Sequence, residues 1–252
     1  MKRNNHIFDD SASLYDLLYA EKNTSEEVDW VISELRNRGL EDGARILEIG
    51  SGTGRHAQIL AQLGFSVTAV EPSKHMLNRA PLHDRISYVH SDAASLELSD
   101  AYDAVVALFH VFSYQENLAK ASSFFNSVSK HLKPGGLFGF DVWYSPAVLF
   151  LKPERRVLGR ETDLLRVNRV ATPVENVPES CVDVHYRYAI EDKDSGRTKT
   201  FEEIHKMRHY TKGEIQLLAS AHGLSILGAT EFMSNREPNR DTWGVWFTLQ
   251  KV

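Results

Sequence analysis

The residues with the clearest capacity for chemistry lie in a glycine-rich segment, Glu48-Ile49-Gly50-Ser51-Gly52-Thr53-Gly54. An apolar strand pattern runs into this segment and a helix pattern follows it, so N–H groups at the helix start are free to bind a ligand. Glycines permit positive φ angles and a close approach of a ligand to the backbone. The third glycine comes one residue earlier than in the dinucleotide pattern G-x-G-x-x-G, and Arg55 takes the place of a small residue. The spacing favours a cofactor without a pyrophosphate group, and a purely structural turn is the alternative.

Two acidic residues follow the next two predicted strands. Glu71 ends the second strand about 20 residues after the first glycine, where a carboxylate can accept hydrogen bonds from both hydroxyls of a ribose. Asp92, followed by Ala93, comes after the third strand, where its carboxylate can accept a bond from an adenine amino group. Each acid alone is also explained as a residue that caps a helix start. Their joint position with the glycine segment, at the carboxyl ends of three successive strands, favours a binding site.

These residues must be positioned by a sheet, and the chain alternates strands and helices in the way that predicts a parallel one. The strands predicted in this part are Arg45–Ile49, Ser66–Val70, Ile86–His90, Ala104–Phe109 and Leu137–Asp141. The pattern then changes to strands with alternating polar and apolar residues, which are typical of an antiparallel sheet. These strands are predicted at Leu164–Ala171, Val182–Ile190 and Thr198–Met207. The first pattern resumes with a helix over Thr211–His222 and strands at Leu224–Thr230 and Val245–Leu249.

The predicted fold is an α/β domain with a doubly wound seven-stranded sheet and an antiparallel three-stranded cap inserted after strand five. Residues 1–40 are expected to form an N-terminal helical lid, residues 41–144 and 210–252 the α/β core, and residues 145–209 the cap. A chain of 252 residues has the length of one such domain with an insertion. We expect the cap to close over a small substrate and to exclude water.

Together with Lys133-Pro134-Gly135-Gly136-Leu137-Phe138 before strand five, these residues resemble the class I S-adenosylmethionine-dependent methyltransferases, over about residues 40–141 and 211–252. The resemblance implies a Rossmann-like fold that binds S-adenosyl-L-methionine and releases S-adenosylhomocysteine. It implies that the methionine portion of the cofactor is surrounded by Glu48, Gly50, Gly52 and Gly54. The other implied contacts are Glu71 with the ribose, Asp92 and Ala93 with the adenine, and Leu108 near the sulfonium.

A narrower resemblance covers most of the chain. Tyr15-Asp16-Leu17-Leu18-Tyr19 is similar to the Y-D-x-x-Y lid of nucleotide-sugar N-methyltransferases, the enzymes that dimethylate amino sugars for macrolide antibiotics. Other similar segments are Trp143-Tyr144-Ser145-Pro146, the cap strand that bears His185, and Arg240 before the final strand. The loop after strand four departs from this group, because Tyr114 stands where a histidine aligns and His110 comes one turn earlier. The resemblance implies methylation of the amino group of a nucleotide-linked sugar.

Methyl transfer is an in-line displacement at the methyl carbon of a sulfonium, so it requires alignment of a nucleophile but neither a metal nor a covalent intermediate. An amine must present its lone pair, and histidine suits the role of proton acceptor because its unperturbed pKa is about 6.5. We predict His110 or His185 as this acceptor, with Tyr114 as an orienting hydroxyl. The alternative is structural, since most of the 11 histidines must be surface or core residues.

Aromatic and basic residues are the candidates for holding the cofactor and the acceptor. Tyr15 is expected to lie over the cationic cofactor and Tyr19 over the acceptor, because an aromatic face attracts a cation. Trp143 and Tyr144 are expected to form a stacking wall for a sugar or a base, and Arg240 to bind a diphosphate. Helix packing, core packing and simple surface exposure are the respective alternatives.

The third predicted cap strand carries three polar residues on one face, Glu203, His205 and His209. We interpret them as part of a solvated edge strand. A row of side chains that faces the substrate is the alternative.

The overall composition limits the classes of partner. The net charge is −5 and the sequence pI is near 6.1, which provides no general attraction to nucleic acid or anionic membranes. The single cysteine, Cys181, excludes an intrachain disulfide and a cysteine zinc cluster. No apolar run has the length of a signal peptide or a membrane span. We therefore expect a cytoplasmic monomer or homodimer that acts on a small-molecule acceptor, with no nucleic-acid or membrane partner.

Several other functions compete with sugar N-methylation. Methylation of an oxygen or nitrogen in another small metabolite fits the same residues. Enzymes that methylate base or amide nitrogens resemble one another in an (Asp/Asn)-Pro-Pro-aromatic motif after strand four. This chain has Leu108-Phe109-His110-Val111 at that position, which disfavours RNA, DNA or protein as the acceptor. A nicotinamide dehydrogenase is disfavoured by the early third glycine and by the lack of a second βαβαβ half. The intact glycine segment disfavours a non-catalytic module.

Overall fold

The computed structural model of the protein describes residues 8 and 10–252. Within these residues the α-helices are α1 Tyr15–Leu18, α2 Thr24–Arg36, α3 Arg55–Gln62, α4 Lys74–Leu77, α5 Leu118–His131, α6 Ser145–Leu151 and α7 Lys212–Ala221. The β-strands are β1 Arg45–Ile49, β2 Ser66–Glu71, β3 Ile86–His90, β4 Tyr102–Ala107, β5 Leu132–Trp143, β6 Arg156–Glu161, β7 Leu165–Asn176, β8 Cys181–Asp192, β9 Thr198–Arg208, β10 Leu224–Glu231 and β11 Gly244–Lys251. Short 3₁₀ turns lie at Ala12–Leu14, Ala93–Ser95, Val111–Tyr114 and Val177–Glu179.

The central sheet confirms the predicted seven-stranded arrangement, with the strand order β10-β11-β5-β4-β1-β2-β3. Strands β1 to β5 pair in parallel, whereas β11 pairs antiparallel with both β5 and β10. The direction of winding reverses between β1 and β4. Because the carboxyl ends of parallel strands share one edge, the loops after β1, β2 and β4 line a crevice at this reversal.

Helices cover both faces of the central sheet. On one face α2 and α3 bury apolar residues such as Val28 and Leu60, and on the other α5 contributes Phe124. Adjacent residues of β1 pack on opposite faces of the sheet. Ile46 packs with Val28 and Leu60 beneath α2 and α3, and Leu47 packs with Phe124 beneath α5. With both faces covered, the loops at the strand ends are the accessible part of the core.

The helix starts differ in how their first N–H groups are satisfied. The side chains of Asn23, Asn117 and Thr211 accept bonds at the starts of α2, α5 and α7, as N-cap residues do. Gly54 is the N-cap residue before α3 and has no side chain to accept such a bond. The first N–H groups of α3 therefore remain available beside the glycine-rich segment.

The inserted antiparallel sheet has four strands, in the order β6-β7-β8-β9, whereas the sequence predicts three. The predicted strands correspond to β7, β8 and β9, and the additional strand β6 pairs with β7 at the edge of the sheet. The segment Arg156–Glu161 is short, contains a glycine and is mostly exposed, so no apolar alternation marks it as a strand.

The two faces of the cap sheet have different surroundings. Strand pairing places one set of side chains on the inner face, toward the core and toward residues 10–22, which we call the N-terminal segment. This set includes Val167, Arg169, Val184, Tyr186, Tyr188, Glu203 and His205. Leu14 and Leu18 of the N-terminal segment pack against Val167 and Tyr188. The N-terminal segment therefore lies beneath the inner face of the cap.

The predicted N-terminal lid, residues 1–40, has two parts with different contacts. Residues 1–7 and 9 of this lid lie outside the described residues. Helix α1 packs beneath the cap, whereas α2 packs on α3 as part of the core. None of the helices described here combines the length and the apolar content that crossing a bilayer requires.

Candidate active site

The glycine-rich segment forms a tight loop between β1 and α3. Gly50, Gly52 and Gly54 have φ angles of +75°, +57° and +79°. An added Cβ would lie 2.6 Å from Val111 Cγ1 at Gly50 and 2.5 Å from the Tyr88 hydroxyl oxygen at Gly54. At Gly52 no atom of the described residues, apart from Gly52 itself and its two chain neighbours, lies within 4 Å of that position. Gly50 and Gly54 thus make room for protein atoms, whereas Gly52 borders open space that a ligand can occupy.

The Glu71 carboxylate fixes the shape of this loop. One oxygen accepts a 2.9 Å hydrogen bond from the Gly52 N–H, and the other accepts a 2.8 Å bond from the Ser73 N–H. Burial raises the pKa of the Glu71 carboxyl, and the two N–H donors oppose that rise. Each carboxylate oxygen has capacity for more than one hydrogen bond, so Glu71 can also accept from ribose hydroxyls.

Glu48 lies next to the loop and has an unsatisfied polar atom. Its side chain is buried, and its Oε2 has no hydrogen-bond partner. Burial, reinforced by the charge of Glu71, raises the pKa of Glu48 to about 8. The Nδ1 atom of His56 lies 3.7 Å from Glu48 Oε1. A buried carboxyl with an unused oxygen, two residues before the first glycine of the loop, fits a ligand that brings a cationic group.

Glu27 of α2 extends this cluster of charged groups. Its carboxylate lies 2.9 Å from His56 Nε2 and pairs with the Lys22 ammonium. Burial opposes ionisation of Glu27, but His56 and Lys22 outweigh that effect and lower its pKa. The Lys22 ammonium lies 4.1 Å from the centre of the Phe109 ring. Lys22 therefore connects the N-terminal part of the chain to the loop after β4.

The residues predicted to hold the adenine lie after β3. Asp92 caps a 3₁₀ turn, with its Oδ1 accepting a 2.8 Å bond from the Ala94 N–H. Asp92 is exposed, whereas Ala93 is buried. Leu108 follows β4 and is buried in the cluster beneath α2 and α3. Asp92 thus acts as a cap, the structural alternative, and its exposed carboxylate also remains accessible to a ligand.

The N-terminal segment docks on the outer side of the glycine loop. The Thr53 hydroxyl donates a 2.7 Å bond to Asp16 Oδ1, and Arg55 Nη1 donates a 2.7 Å bond to the Tyr19 carbonyl. A groove of about 590 Å³ runs along this contact. Thr53 and Arg55 border the groove, but Gly52 does not. The groove and the open space at Gly52 are therefore separate neighbouring features.

Tyr15 and Tyr19 begin an aromatic wall between the glycine loop and the cap. Their ring centres are 4.8 Å apart, and the Tyr19 ring is 5.2 Å from the Phe109 ring. Burial raises the pKa of the Tyr15 hydroxyl, and the charge of Glu71 adds to that rise. Tyr15 is therefore buried in this wall, and Tyr19 borders the loop after β4.

His110 follows β4 in an uncommon backbone conformation. Phe109 and His110 have φ angles of +64° and +62°, a strain that proteins retain mainly at functional sites. Both oxygens of the fully buried Asp141 accept bonds from the His110 N–H, at 3.1 and 3.0 Å. His110 Nδ1 also lies 2.6 Å from Asp141 Oδ2, but without hydrogen-bond alignment. With Nδ1 facing the carboxylate, Nε2 is the nitrogen available to a substrate.

Tyr114 contacts the cap through a chain of polar side chains. Its hydroxyl lies 3.0 Å from His205 Nδ1, and His205 Nε2 lies 3.3 Å from Glu203 Oε2. Burial would raise the pKa of Glu203, but the bonds from His205 and Ser11 outweigh burial and lower it. An ionised carboxylate only accepts, so His205 Nε2 is the donor to Glu203. In the neutral imidazole Nδ1 then accepts from the Tyr114 hydroxyl. The histidine and its carboxylate thereby orient the tyrosine hydroxyl.

The interpretation of Glu203, His205 and His209 as solvated is wrong. Strand β9 is an edge strand, but His205 is 2% exposed and the adjoining His209 is 3% exposed. His209 Nδ1 lies 2.8 Å from the Ser145 hydroxyl, and burial lowers the pKa of its imidazole. The core covers this edge of the cap, so a position at the edge of a sheet did not imply contact with water.

The other residues predicted to bind the acceptor are dispersed. The Trp143 ring centre lies 6.3 Å from that of His110. Tyr144, the next residue, instead packs in the cluster of α5 and α7 on the opposite face of the sheet, which contradicts a shared wall with Trp143. The side chain of Arg240 is 69% exposed, and its guanidinium carbon lies 4.3 Å from the centre of the Phe150 ring.

The structure does not bring His185 to the site. His185 is exposed on the outer face of the cap, in register with Thr172 and Ile204. The strand alternation that predicts β8 already places His185 on the face opposite Tyr186. This placement contradicts the prediction of His185 as proton acceptor, and His110 is the remaining candidate.

Sequence reasoning does not identify Asp141 or Arg169 as site residues. Asp141 is the acid at the end of an apolar strand pattern, and its partner His110 becomes evident only when β4 and β5 are known to be neighbours. The sequence does contain an indication for Arg169. This charged residue occupies the same face of its strand as the apolar residues Val167 and Ala171. A charged residue on such a face is rare unless it has a partner or a ligand.

Glu48 provides a test in the protein without cofactor. Because its folded-state pKa of about 8 exceeds the ordinary value of 4.5, its stabilising contribution is complete below pH 4.5 and is lost as pH rises through 8. As pH rises over this range, the free energy of unfolding should fall less in Glu48→Gln than in wild type. We expect the difference to be at least about 1.4 kcal/mol, the equivalent of one pKa unit. Urea denaturation at a series of pH values measures this difference. Parallel curves for the two proteins would contradict the raised pKa.

Comparison with known proteins agrees with this geometry. Residues 46–136 match the family described as a methyltransferase domain. The chain is 24% identical over 250 residues to a putative methyltransferase of Bacillus subtilis, with 97% of each chain covered. It is 24% identical over 221 residues to the dTDP-3-amino-3,4,6-trideoxy-alpha-D-glucopyranose N,N-dimethyltransferase of Streptomyces venezuelae, covering 86% of this chain and 91% of that protein.

A solved structure with the same architecture is Streptomyces venezuelae DesVI. The two chains are 22% identical and superpose with a TM-score of 0.81, over 96% of this chain and 98% of DesVI. This similarity establishes the class I methyltransferase fold, with its Rossmann-like central sheet. Since the methyltransferase family match spans the strands and loops that shape the ligand space at Gly52, the chain is an S-adenosylmethionine-dependent methyltransferase.

Proposed function

We propose that this methyltransferase acts on the amino group of a nucleotide-linked sugar. The proposal rests chiefly on the pair His110–Asp141, which offers an imidazole proton acceptor at the end of β4. An alkylammonium group has a pKa of about 10, within the range in which an imidazole can assist deprotonation. A hydroxyl with the acidity of water is much harder to deprotonate. An amine is therefore the acceptor group that suits this pair.

The extent of the sequence similarity supports a sugar as the rest of the acceptor. The amino-sugar dimethyltransferase of Streptomyces venezuelae aligns with 86% of this chain, so the alignment extends beyond the cofactor-binding core. In class I folds the core serves the cofactor, and acceptor choice depends on the added elements. A shared cap and N-terminal segment are thus the relevant similarity for the acceptor.

The proposed cofactor site is formed at the ends of β1 to β4. The residues assigned to it are Tyr15, Glu48, Gly50, Gly52, Gly54, Glu71, Asp92, Ala93 and Leu108. Two observations support this assignment: the buried, unpartnered Oε2 of Glu48 suits the ammonium of the methionine portion, and the open space at Gly52 leaves room for it. Bound S-adenosylmethionine supplies an electrophilic methyl group on a sulfonium.

The residues of the chain manage the acceptor proton. His110 Nε2 takes a proton from the amine, and Asp141 stabilises the resulting imidazolium through the 2.6 Å contact with Nδ1. Because Asp141 is fully buried, solvent screens this interaction little. Tyr114, held by His205, orients the acceptor through its hydroxyl. The cap and the N-terminal segment exclude water from this space.

The acceptor is held from two sides in this proposal. Tyr19 borders the site beside Phe109, and Trp143 borders it beside His110. Arg240 lies at the exposed rim, where its guanidinium can meet a phosphate. Aromatic rings suit the apolar faces of a sugar ring or a base.

The test of the acceptor class is a thermal-shift panel of nucleotide-linked sugars in the presence of S-adenosylhomocysteine. We expect a rise in Tm for amino sugars that exceeds the rise for the matched hydroxy sugars. Turnover of the amino sugar should then yield an N-methylated product by mass spectrometry. Stabilisation by S-adenosylhomocysteine with no response to any sugar nucleotide would reject the sugar and direct the search to other small amines and hydroxyls.

Gly52→Val is expected to abolish S-adenosylmethionine binding, because the side chain fills the open space at the loop. Gly43→Val is the matched control, since Gly43 also has a positive φ angle, +74°, and no neighbour near its Cβ position. Both substitutions carry a backbone cost of about 1–2 kcal/mol. Calorimetry should detect binding to the Gly43 variant and none to the Gly52 variant. Wild-type affinity in a folded Gly52→Val protein would show that the cofactor does not use this space.

His110→Ala is expected to lower kcat by about 10²-fold, the usual contribution of a proton acceptor. Affinity for S-adenosylhomocysteine should stay within about twofold of wild type, because His110 serves the acceptor. His185→Ala, on the outer face of the cap, is the control and should leave kcat unchanged. The pair is measured by steady-state methylation with a substrate from the panel. A normal rate for His110→Ala would remove His110 from the chemistry.

A further inference from the structure

Arg169 is a charged residue of the cap that the proposed chemistry does not use. It lies on β7, on the inner face of the cap, in register with Tyr188. Its Nη1 donates a 2.9 Å hydrogen bond to the Tyr19 hydroxyl. Its guanidinium carbon lies 5.3 Å from the centre of the Tyr19 ring and 5.1 Å from that of Tyr186. The guanidinium is thus held between two aromatic rings beneath the cap.

The charge of Arg169 has no partner within the part of the chain that the structure describes. No Asp or Glu oxygen of those residues lies within 4.0 Å of the guanidinium, and its Nε is buried without a hydrogen-bond partner. Arg160 on the neighbouring strand, by contrast, pairs with Glu21 at 2.7 Å. Arg169 is partly buried, and a partly buried cation without a counterion is unfavourable. The position therefore indicates a counterion that a ligand supplies.

Glu203, which pairs with Tyr186 across the sheet, does not supply that counterion. It accepts bonds from the N–H and the hydroxyl of Ser11 and lies 3.3 Å from His205 Nε2. Arg156 shares this face in the strand register, but its side chain is exposed. Arg169 is thus a partly buried cation of the inner face whose nearby acid is already engaged.

Arg169 lies close to the proposed transfer site. Tyr19, which it contacts, is 5.2 Å from the Phe109 ring, and that ring stacks on His110 at 6.0 Å. One acceptor molecule can therefore place an amine at His110 and a second group at Arg169. A sugar with a reactive amine and a linked charged group has this arrangement.

We infer that Arg169 binds an oxyanion of the acceptor, which under the proposed function is the diphosphate of the nucleotide-linked sugar. The identity of the oxyanion rests on that proposed function. The guanidinium fork matches phosphate and carboxylate oxygens, and the Tyr19 hydroxyl beside it adds a further donor. Solvent screens the exposed Arg240 more strongly. Arg169 therefore contributes more to acceptor affinity than Arg240 does.

The test measures the affinity of inorganic pyrophosphate and of dTDP for the complex with S-adenosylhomocysteine, by calorimetry. Arg169→Gln removes the charge, and Arg169→Lys keeps the charge but loses the fork. Arg187→Gln, on the exposed outer face, is the matched control. We expect Arg169→Gln to weaken both ligands at least tenfold, Arg169→Lys to give an intermediate loss, and Arg187→Gln to match wild type. Equal affinity for S-adenosylhomocysteine in every variant verifies that the fold is intact.

Three outcomes separate this inference from the proposed function. If pyrophosphate binds to wild type and binds to Arg169→Gln with the same affinity, the inference is overturned, whether or not amino sugars are methylated. A raised KM for the sugar nucleotide with a nearly unchanged kcat in Arg169→Gln would support both. Arg169-dependent binding of a carboxylate probe such as galacturonate, without binding of pyrophosphate, would support the oxyanion site and reject the nucleotide-linked sugar.

Discussion

The site depends on carboxylates that are buried where the parallel strands end. A buried carboxylate is tolerated only when donors surround it, and here backbone N–H groups of neighbouring loops are the donors. Glu71 accepts from Gly52 and Ser73, and Asp141 accepts from His110. Each acid thus fixes a loop that follows a different strand from its own. The loops after β1 and β4 therefore keep their shapes through side chains of β2 and β5, and the crevice between them is formed before any ligand binds.

The cap supplies the second half of the site, and its composition shows that covering the core is not its whole role. A sheet that only covered the core would be most stable with an apolar inner face, because burying a polar group is unfavourable unless partners replace its water. The inner face instead carries Arg169, Glu203 and His205 among apolar residues such as Val167 and Tyr188. These polar groups are held by each other, by the N-terminal segment and by the loop after β4. Such an arrangement favours ligand binding over simple coverage.

The features that the sequence predicts well are those that local signals determine. Strand β1 has the predicted bounds, Arg45–Ile49, and the glycine loop with Glu71 spans only one βαβ unit. Features that need distant partners are not visible in this way, since Tyr114 and His205 are 91 residues apart and meet only through the insertion. Strand β6 lacks apolar alternation because it is an exposed edge. The prediction for His185 is wrong because the resemblance concerns the cap strand as a whole, whereas the alternation along β8 places His185 on its outer face.

The two imidazole–carboxylate pairs of the site differ in what they connect. The pair at His110 lies entirely in the core, where β4 and β5 are neighbours. The pair of His205 and Glu203 lies in the cap and continues to the hydroxyl of Ser11, so the N-terminal segment, the cap and Tyr114 form one hydrogen-bonded chain. Where the resembled enzymes have a histidine in the loop after strand four, this protein has Tyr114 bonded to an imidazole of the cap. Orientation of the Tyr114 hydroxyl therefore requires the cap to be in place. The same cap that encloses the acceptor thus also orients Tyr114 beside it.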